Sequence, residues 1–437
     1  MTDLPAGWVT KTIGEVATFN RKKPQDKKNS EELVSFVPMP KVYETLNRIT
    51  LDESISHRQG QERSLTYFED GDVIFAKITP CMENGKIAIA KSLKNGNAYG
   101  STEFHVLTAG PDILAEYLFY FMVSDDFRAD AASAMTGAVG QRRVPKSYLE
   151  DHLIPLPPLL EQQKIVETLE DHLSRLDAAL ADVKQAKIKA AQFRRSLLQA
   201  AFTGNLSGDG TRLMIELPVG WEIKRLGDCL EQLKSGKKAE RGWSPQCLSN
   251  PSPDENVWGV LKTTAVQMGR YESDHNKQLP ETLDPKVGLE VNLGDFLVTT
   301  TGPRNRCGVI CHVRETRKKL IFSGKILRFR ADENIILSDW LMYLLISPNY
   351  QATFDKLKVG TSDSSVSIGN QQILDLQIPV PHLSEQQQIV ETLEYHLSRL
   401  DASVAIADKM EKQSSSLRRS ILQAAFTGQL TKEVASV

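Results

Sequence analysis

The chain carries one long segment twice. Residues 161–206, EQQKIVETLEDHLSRLDAALADVKQAKIKAAQFRRSLLQAAFTGNL, and residues 385–430, EQQQIVETLEYHLSRLDASVAIADKMEKQSSSLRRSILQAAFTGQL, align at a constant offset of 224 without a gap, with 28 of 46 positions identical. Whatever this segment forms must therefore be formed twice. Weaker echoes extend upstream. Leu4-Pro5-x-Gly7-Trp8 returns as Leu217-Pro218-x-Gly220-Trp221, Gly71-Asp72 as Gly294-Asp295, Pro80 and Gly85 as Pro303 and Gly308, and Ile154-Pro155-x-Pro157 as Ile378-Pro379-x-Pro381. The order is a diverged block, 1–158, a near-identical block, 159–207, a second diverged block, 208–382, and the second copy, 383–437.

The near-identical blocks read as long helices. Ile165, Leu169, Leu173, Leu176, Leu180 and Val183 step by 4, 4, 3, 4 and 3, and Ile389, Leu393, Leu397, Leu400, Val404 and Ala407 repeat those steps. That is a narrow apolar seam at coiled-coil spacing, which wants one partner helix, and the natural partner of each copy is the other, running antiparallel. No Gly or Pro interrupts either stretch before Gly204 and Gly428, which read as C-caps. Pro157-Pro158 and Pro381 precede the starts, and Ser384 reads as a cap of the second helix. At about 1.5 Å per residue each helix makes a rod of roughly 65–70 Å.

The diverged blocks are mixed. Asp72–Ile78 and Asp295–Thr300 read as buried strands entered from a Gly-Asp turn, and Lys86–Ala90 and Leu320–Phe322 read as further strands. Ala115–Asp130 and Asp339–Phe354 read as amphipathic helices. No regular βαβ period appears, so the fold class is α+β: two globular domains of mixed sheet and helix joined by two long antiparallel coiled-coil helices, with a pseudo-two-fold internal repeat.

Composition excludes more than it assigns. No run approaches 18 apolar residues, the start lacks a signal-peptide layout, and five scattered cysteines make no disulfide framework. The expectation is a cytoplasmic chain with no membrane contact. Net charge is −2 and no block departs from neutrality by more than three, so any anion-binding surface is local or is completed by a partner. There is no GxxxxGK[ST], HExxH, GxSxG or GxGxxG, and Cys307-x3-Cys311-His312 lacks a second ligand pair. No catalytic constellation and no metal site emerge.

The passage Gly140-Gln141-Arg142-Arg143-Val144-Pro145 … Ile154-Pro155-Leu156-Pro157-Pro158 … Glu161-Gln162-Gln163 closely resembles the end of a target-recognition domain entering its conserved helix, in the specificity subunit of type I restriction–modification enzymes. The paired LPxGW starts, Ile78-Thr79-Pro80-Cys81-Met82-Glu83-Asn84-Gly85-Lys86 and the paired QAAFTGxL ends carry the same resemblance over essentially the whole chain. In the second block Thr301-Gly302-Pro303-Arg304-Asn305-Arg306-Cys307-Gly308 keeps only the Pro and Gly frame. The resemblance implies a non-catalytic subunit in which each globular domain binds one half of a bipartite double-stranded DNA target and the helices set the distance between halves. It implies methyltransferase subunits, two of them, docked beside the helices, and separate restriction subunits that cut. S-adenosylmethionine, ATP and Mg would belong to those partners, with no cofactor on this chain. Competing readings are the same subunit in a methylation-only complex and a coiled-coil scaffold that never touches DNA.

Base readout needs donors and acceptors on loops. In the first domain the candidates are Lys77, Thr79, Glu83, Asn84 and Lys86, with Gln141, Arg142, Arg143 and Lys146 on a second loop. Glu-Asn-Gly is also a turn signature whatever it touches. In the second domain they are Thr301, Arg304, Asn305 and Arg306, with Thr361, Ser362 and Ser364 in place of the basic loop. Trp8 and Trp221 read as core.

Overall fold

The computed structural model describes residues 4–202 and 218–430, so Gly204 lies outside the described residues. Contacts divide the chain into two units that do not follow its linear order. Unit 1 takes residues 1–184 with 408–437, and unit 2 takes 185–407.

In unit 1 a four-stranded antiparallel sheet has the order Ala17–Phe19, Phe104–Ala109, Val73–Ala76, Ile87–Ile89. A second sheet has the order Ser54–Ser56, Leu33–Val37, Asn97–Gly100, Thr66–Glu69, with a parallel pair at its centre, Ser35 opposite Ala98. Val73–Ala76 is apolar at every position because both of its faces are covered. Val73 and Phe75 pack with the helices, while Ile74 and Ala76 pack with the second sheet. Unit 2 repeats the plan. Its four-stranded sheet runs Ala239–Arg241, Ile326–Phe329, Phe296–Thr299, Ile310–His312, and Gly259–Leu261 lies parallel to Leu320–Phe322 in a three-stranded sheet. Phe296 and Val298 face one core and Leu297 the other.

Two repeated motifs acquire physical reasons. In LPxGW, Gly7 and Gly220 sit at φ +88° and +89°, and the Trp8 and Trp221 amides donate to Pro5 and Pro218 carbonyls at 3.1 Å. Such a turn needs positive φ at its third residue. The Asp of each Gly-Asp turn is fully buried. Asp72 accepts from Arg21 Nε at 2.7 Å and Thr108 Oγ1 at 2.6 Å, and Asp295 from Arg330 Nε at 2.6 Å. A turn residue by sequence is thus a buried ion-pair anchor, with different donors in the two units.

The helix expected over 115–130 is two helices, Ala115–Val123 and Asp125–Ser133. Ser124 breaks it: its hydroxyl caps the second helix through the Phe127 amide and donates to the Phe121 carbonyl at 2.7 Å. The second domain's helix likewise splits into Ser338–Ile346 and Pro348–Leu357, because Pro348 cannot continue the preceding helix.

The two near-identical blocks form helices Leu159–Ala201 and Leu383–Phe426, of 43 and 44 residues. Ser384 lies inside the second helix rather than at its cap, since Pro381 and His382 already end the extended chain. Gly428, at φ +71°, follows the helix end. Of the seam residues, Ile165, Leu169, Leu173, Leu393 and Leu397 are buried, and Leu176, Leu180, Ile389, Leu400 and Val404 are half-buried. The buried ones share a core with the adjoining globular domain as well as with the other helix. In unit 1 Leu169 and Leu173 cluster with Tyr117, Leu422 and Ala425, and in unit 2 Leu393 and Leu397 cluster with Trp340, Leu197 and Ala201.

The middle Gln of each EQQ latches the helix start to its domain. Buried Gln162 accepts from the Leu114 amide at 2.9 Å and donates to the Asp112 and Pro157 carbonyls at 2.8 and 2.9 Å. Gln386 accepts from Leu337 at 2.8 Å and donates to Ile335 and Pro381 at 3.1 and 2.9 Å.

Candidate nucleic-acid interface

In unit 1 the two candidate loops are zipped together. Ile78 and Thr136 both bridge Arg143, the Thr79 amide donates to Arg142 at 3.0 Å, and the Val144 amide donates to Lys77 at 2.9 Å. Unit 2 makes the same join, with Thr301–Gly302 pairing with Val366–Ser367 in a three-stranded sheet completed by Val359–Ser362. Thr361, Ser362 and Ser364 are exposed at this hairpin's tip, the two serine hydroxyls 2.8 Å apart.

The individual side chains divide into exposed groups and structural ties. Lys77 is half-buried, and Thr79 Oγ1 points at Met135 Sδ at 3.5 Å. Asn84 and Gln141 are exposed, Asn84 donating to Glu44 at 3.0 Å. Glu83 pairs with Arg142 at 3.1 Å, and Arg143 forks onto Glu103, Nε and Nη2 reaching its carboxylate at 2.9 and 2.8 Å. The Arg143 guanidinium holds the Glu103 carboxyl below its ordinary range. Lys146 is the first residue of helix Lys146–Asp151 rather than a loop residue, and pairs with Glu150 at 2.7 Å. In unit 2 Arg304 reaches Asp355 at 2.9 Å, holding that carboxyl down, and Asn305 is exposed.

Lys86 and Arg306 tie down a third loop that sequence reading passed over. Lys86 Nζ donates to the Met39 carbonyl at 3.3 Å, while Arg306 Nη2 donates to the Thr263 and Val266 carbonyls at 2.8 Å. Met39 and Thr263 each open a short helical turn leading into a hairpin, closed by Val42 opposite Ile49 in unit 1 and by Val266 opposite Tyr271 in unit 2. Glu103 was also missed, because nothing in its local sequence marks it as the partner of Arg143. Each unit therefore presents three adjoining loops on one frame with different residues. The arrangement offers amide, hydroxyl and guanidinium donors to a polyanion. Among the described residues no group of His, Cys, Asp or Glu is placed to hold a metal ion. Among the described residues no helix is long and apolar enough to cross a membrane.

The family model for the type I restriction modification DNA specificity domain matches residues 5–190 and 218–411. The specificity subunit of the type I restriction enzyme EcoEI from Escherichia coli is 32% identical over 474 aligned positions, covering 90% of this chain and 78% of that one. That of EcoAI, also from Escherichia coli, is 39% identical over 165 residues, 38% of this chain and 28% of that one. Among solved structures, the HsdS subunit from Thermoanaerobacter tengcongensis superposes with a TM-score of 0.65 at 22% identity, over 98% of each chain. A chain from work on complex assembly and conformational transition of the type I R-M system gives 0.72 at 22% identity, over 98% of this chain and 100% of that one. At that identity the likeness concerns the fold.

Proposed function

This chain belongs to the type I restriction–modification DNA specificity family, and we propose that it is the sequence-reading subunit of such a system. Residues 1–158 and 208–382 would be its two target-recognition domains, each reading one half of a bipartite duplex target. Residues 159–207 and 383–437 would pair as an antiparallel coiled-coil ruler and docking site for two methyltransferase subunits, with restriction subunits beyond them. One observation carries this reading: both units build the same three-loop surface on corresponding strands, yet most of the side chains on it differ. Two readers of different sequences need that combination.

The electrostatics fit a reader that depends on partners. Arg142, Arg143 and Arg304 of this surface are paired with Glu83, Glu103 and Asp355. DNA must compete with these carboxylates for the guanidiniums, so phosphate attraction by this chain alone is weak, and specificity comes from exchange of partners at close range. Methyl transfer and cleavage would take place on the other subunits, which would hold S-adenosylmethionine, ATP and Mg. The helices bound the separation of the half-sites at roughly 20 base pairs, from a rod of about 65–70 Å and 3.4 Å per pair.

The test is adenine-methylation mapping in cells carrying this chain with its methyltransferase partner, against cells lacking it. The expected result is a gapped methylated motif that vanishes with the gene and changes in one half only when residues 1–158 are exchanged. A motif that changes in both halves, or no motif from an assembled complex, would overturn the reading.

A further inference from the structure

We propose that the hairpin closed by Val42 and Ile49 is a third DNA-reading loop of unit 1, with Arg48 as its base-contacting side chain; the inference rests on the DNA-reading function above. The hairpin adjoins the loop at 78–86. Glu44 bridges Lys86, the Thr45 amide donates to the Gly85 carbonyl at 2.9 Å, and Asn84 reaches Glu44 at 3.0 Å. Its conformation is fixed at a cost to the backbone. Thr45 has a φ of +57°, a region that β-branched residues rarely enter, and Asn47 one of +46°, which asparagine tolerates. Asn47 is held there by accepting the Ile89 amide at 2.8 Å. Strain kept in place by specific contacts marks a segment whose shape is used.

Among the described residues Arg48 is an exposed cation of this surface that no carboxylate pairs, whereas Lys77 is half-buried. Arg142, Arg143 and Lys146 each have a carboxylate. Arg48 is exposed and among the described residues has no acidic partner; its guanidinium lies 3.8 Å from the centroid of the Tyr43 ring. Tyr43 is itself positioned by its amide on the Arg48 carbonyl at 3.1 Å and its hydroxyl near Thr50 Oγ1 at 3.2 Å. A guanidinium held over a ring has less rotamer freedom left to lose on binding. That geometry suits bidentate contact with guanine O6 and N7.

Unit 2 supplies an independent observation. Its hairpin is two residues shorter between the bridging pairs, so a constant sequence offset matches Arg48 with Glu272. Register matches it differently: Arg48 precedes Ile49, opposite Val42, and Arg270 precedes Tyr271, opposite Val266. Two hairpins of different length and otherwise unlike sequence both place an arginine before the returning strand. Arg270 is also exposed but, unlike Arg48, pairs with a carboxylate, Glu272. Cations from the 78–86 and 301–306 loops, Lys86 and Arg306, hold the base of each hairpin in the same way.

The experiment compares wild type, R48A, R48K and R270A, each assembled with its methyltransferase subunits, by methylation mapping and by duplex binding. R63A serves as control, being an exposed arginine stacked 5.1 Å over Phe36 outside this surface. R48A and R48K are expected to relax one base position, in the half changed by exchanging residues 1–158, with affinity for the cognate duplex falling about tenfold. R270A is expected to relax a position in the other half, and R63A to change nothing. Equal weakening on cognate and unrelated DNA, restored by R48K, would make Arg48 a phosphate contact and overturn the proposal, as would an unchanged motif. Absence of a gapped motif with wild type would instead overturn the function on which it rests.

Discussion

Replacing Gln162 by alanine removes three hydrogen bonds from a fully buried site and leaves the Leu114 amide and the Asp112 and Pro157 carbonyls without that partner. The expected loss is about 2–4 kcal/mol in chemical denaturation, the scale of stranded buried polar groups. Gln162→Glu should cost more, because a carboxylate oxygen would face two carbonyls where the amide donated; equal stability of the two variants would refute the latch. A second expectation concerns histidine. Burial holds His105, His152 and His312 below the ordinary imidazole value, and His57 likewise. Below about pH 6.5 the unfolded chain binds protons that the folded chain refuses, so stability rises with pH in that window and is lost as pH falls through it. The melting temperature at pH 5.5 should therefore lie below that at pH 7.5, and less so in a His312→Gln variant that still folds. Neither residue type announces its role in the sequence. Gln162 and Gln386 are identical in the repeat, which points to importance, but an identical surface pair would look the same. Arg142, Arg143, Arg304 and Arg306 were legible as a cluster of donors. That Arg306 spends its donors on backbone carbonyls and Arg143 on Glu103 follows only from which segments the fold brings together.

At the scale of elements, the two long helices carry the same ion pair at matching places. Arg194 meets Asp401 at 2.7 Å in unit 2, and Arg418 meets Asp177 in unit 1; the two arginines, like the two aspartates, stand 224 positions apart in the repeat. Exposed pairs contribute little alone, about 0–1 kcal/mol, and their use here is register. Asp177→Arg places like charges against Arg418 and is expected to lower thermal stability slightly, and adding Arg418→Asp should recover the loss. If the double variant is no better than the sum of its singles, the pair does not set register. The helices were readable because a seam of regular step over many turns has few other meanings. The strands Val73–Ala76 and Phe296–Thr299 were readable because unbroken apolar runs beside Gly-Asp turns are buried strands in most contexts. The hairpin at 42–49 was hidden. Its closing residues are unremarkable, its tip is polar, and the two-residue difference from its counterpart defeats a gapless comparison. Both helix breaks were read through: Pro348 stands plainly in the sequence but lies inside a continuing amphipathic pattern, whereas Ser124 acts through hydrogen bonds that any mid-helix serine could forgo.

The whole molecule departs from the order in which it is written. A chain arranged as domain, helix, domain, helix suggests that each helix belongs to the domain before it, yet the end of the second helix is core to the first unit. Leu422, Ala425 and Leu430 are buried with Trp8 and Tyr117, and the Phe426 ring sits 5.3 Å from those of both Tyr117 and Phe121. Gly428 approaches Pro5 so closely that a Cβ there would lie 2.1 Å from the proline ring. Deleting 408–437 should therefore damage the opposite end of the sequence. At about 1.5–3 kcal/mol for each large apolar side chain removed from a core, the loss of Leu422, Phe426 and Leu430 is comparable to the whole stability of an ordinary domain. Limited proteolysis of the truncated chain is expected to open sites within residues 4–158 while 218–382 stays protected. Methylation by its assembled complex should lose the half of the motif assigned to residues 1–158. Cleavage appearing first in 218–382 would mean that the second helix is an appendage of the domain preceding it, and that the first domain's core closes without it.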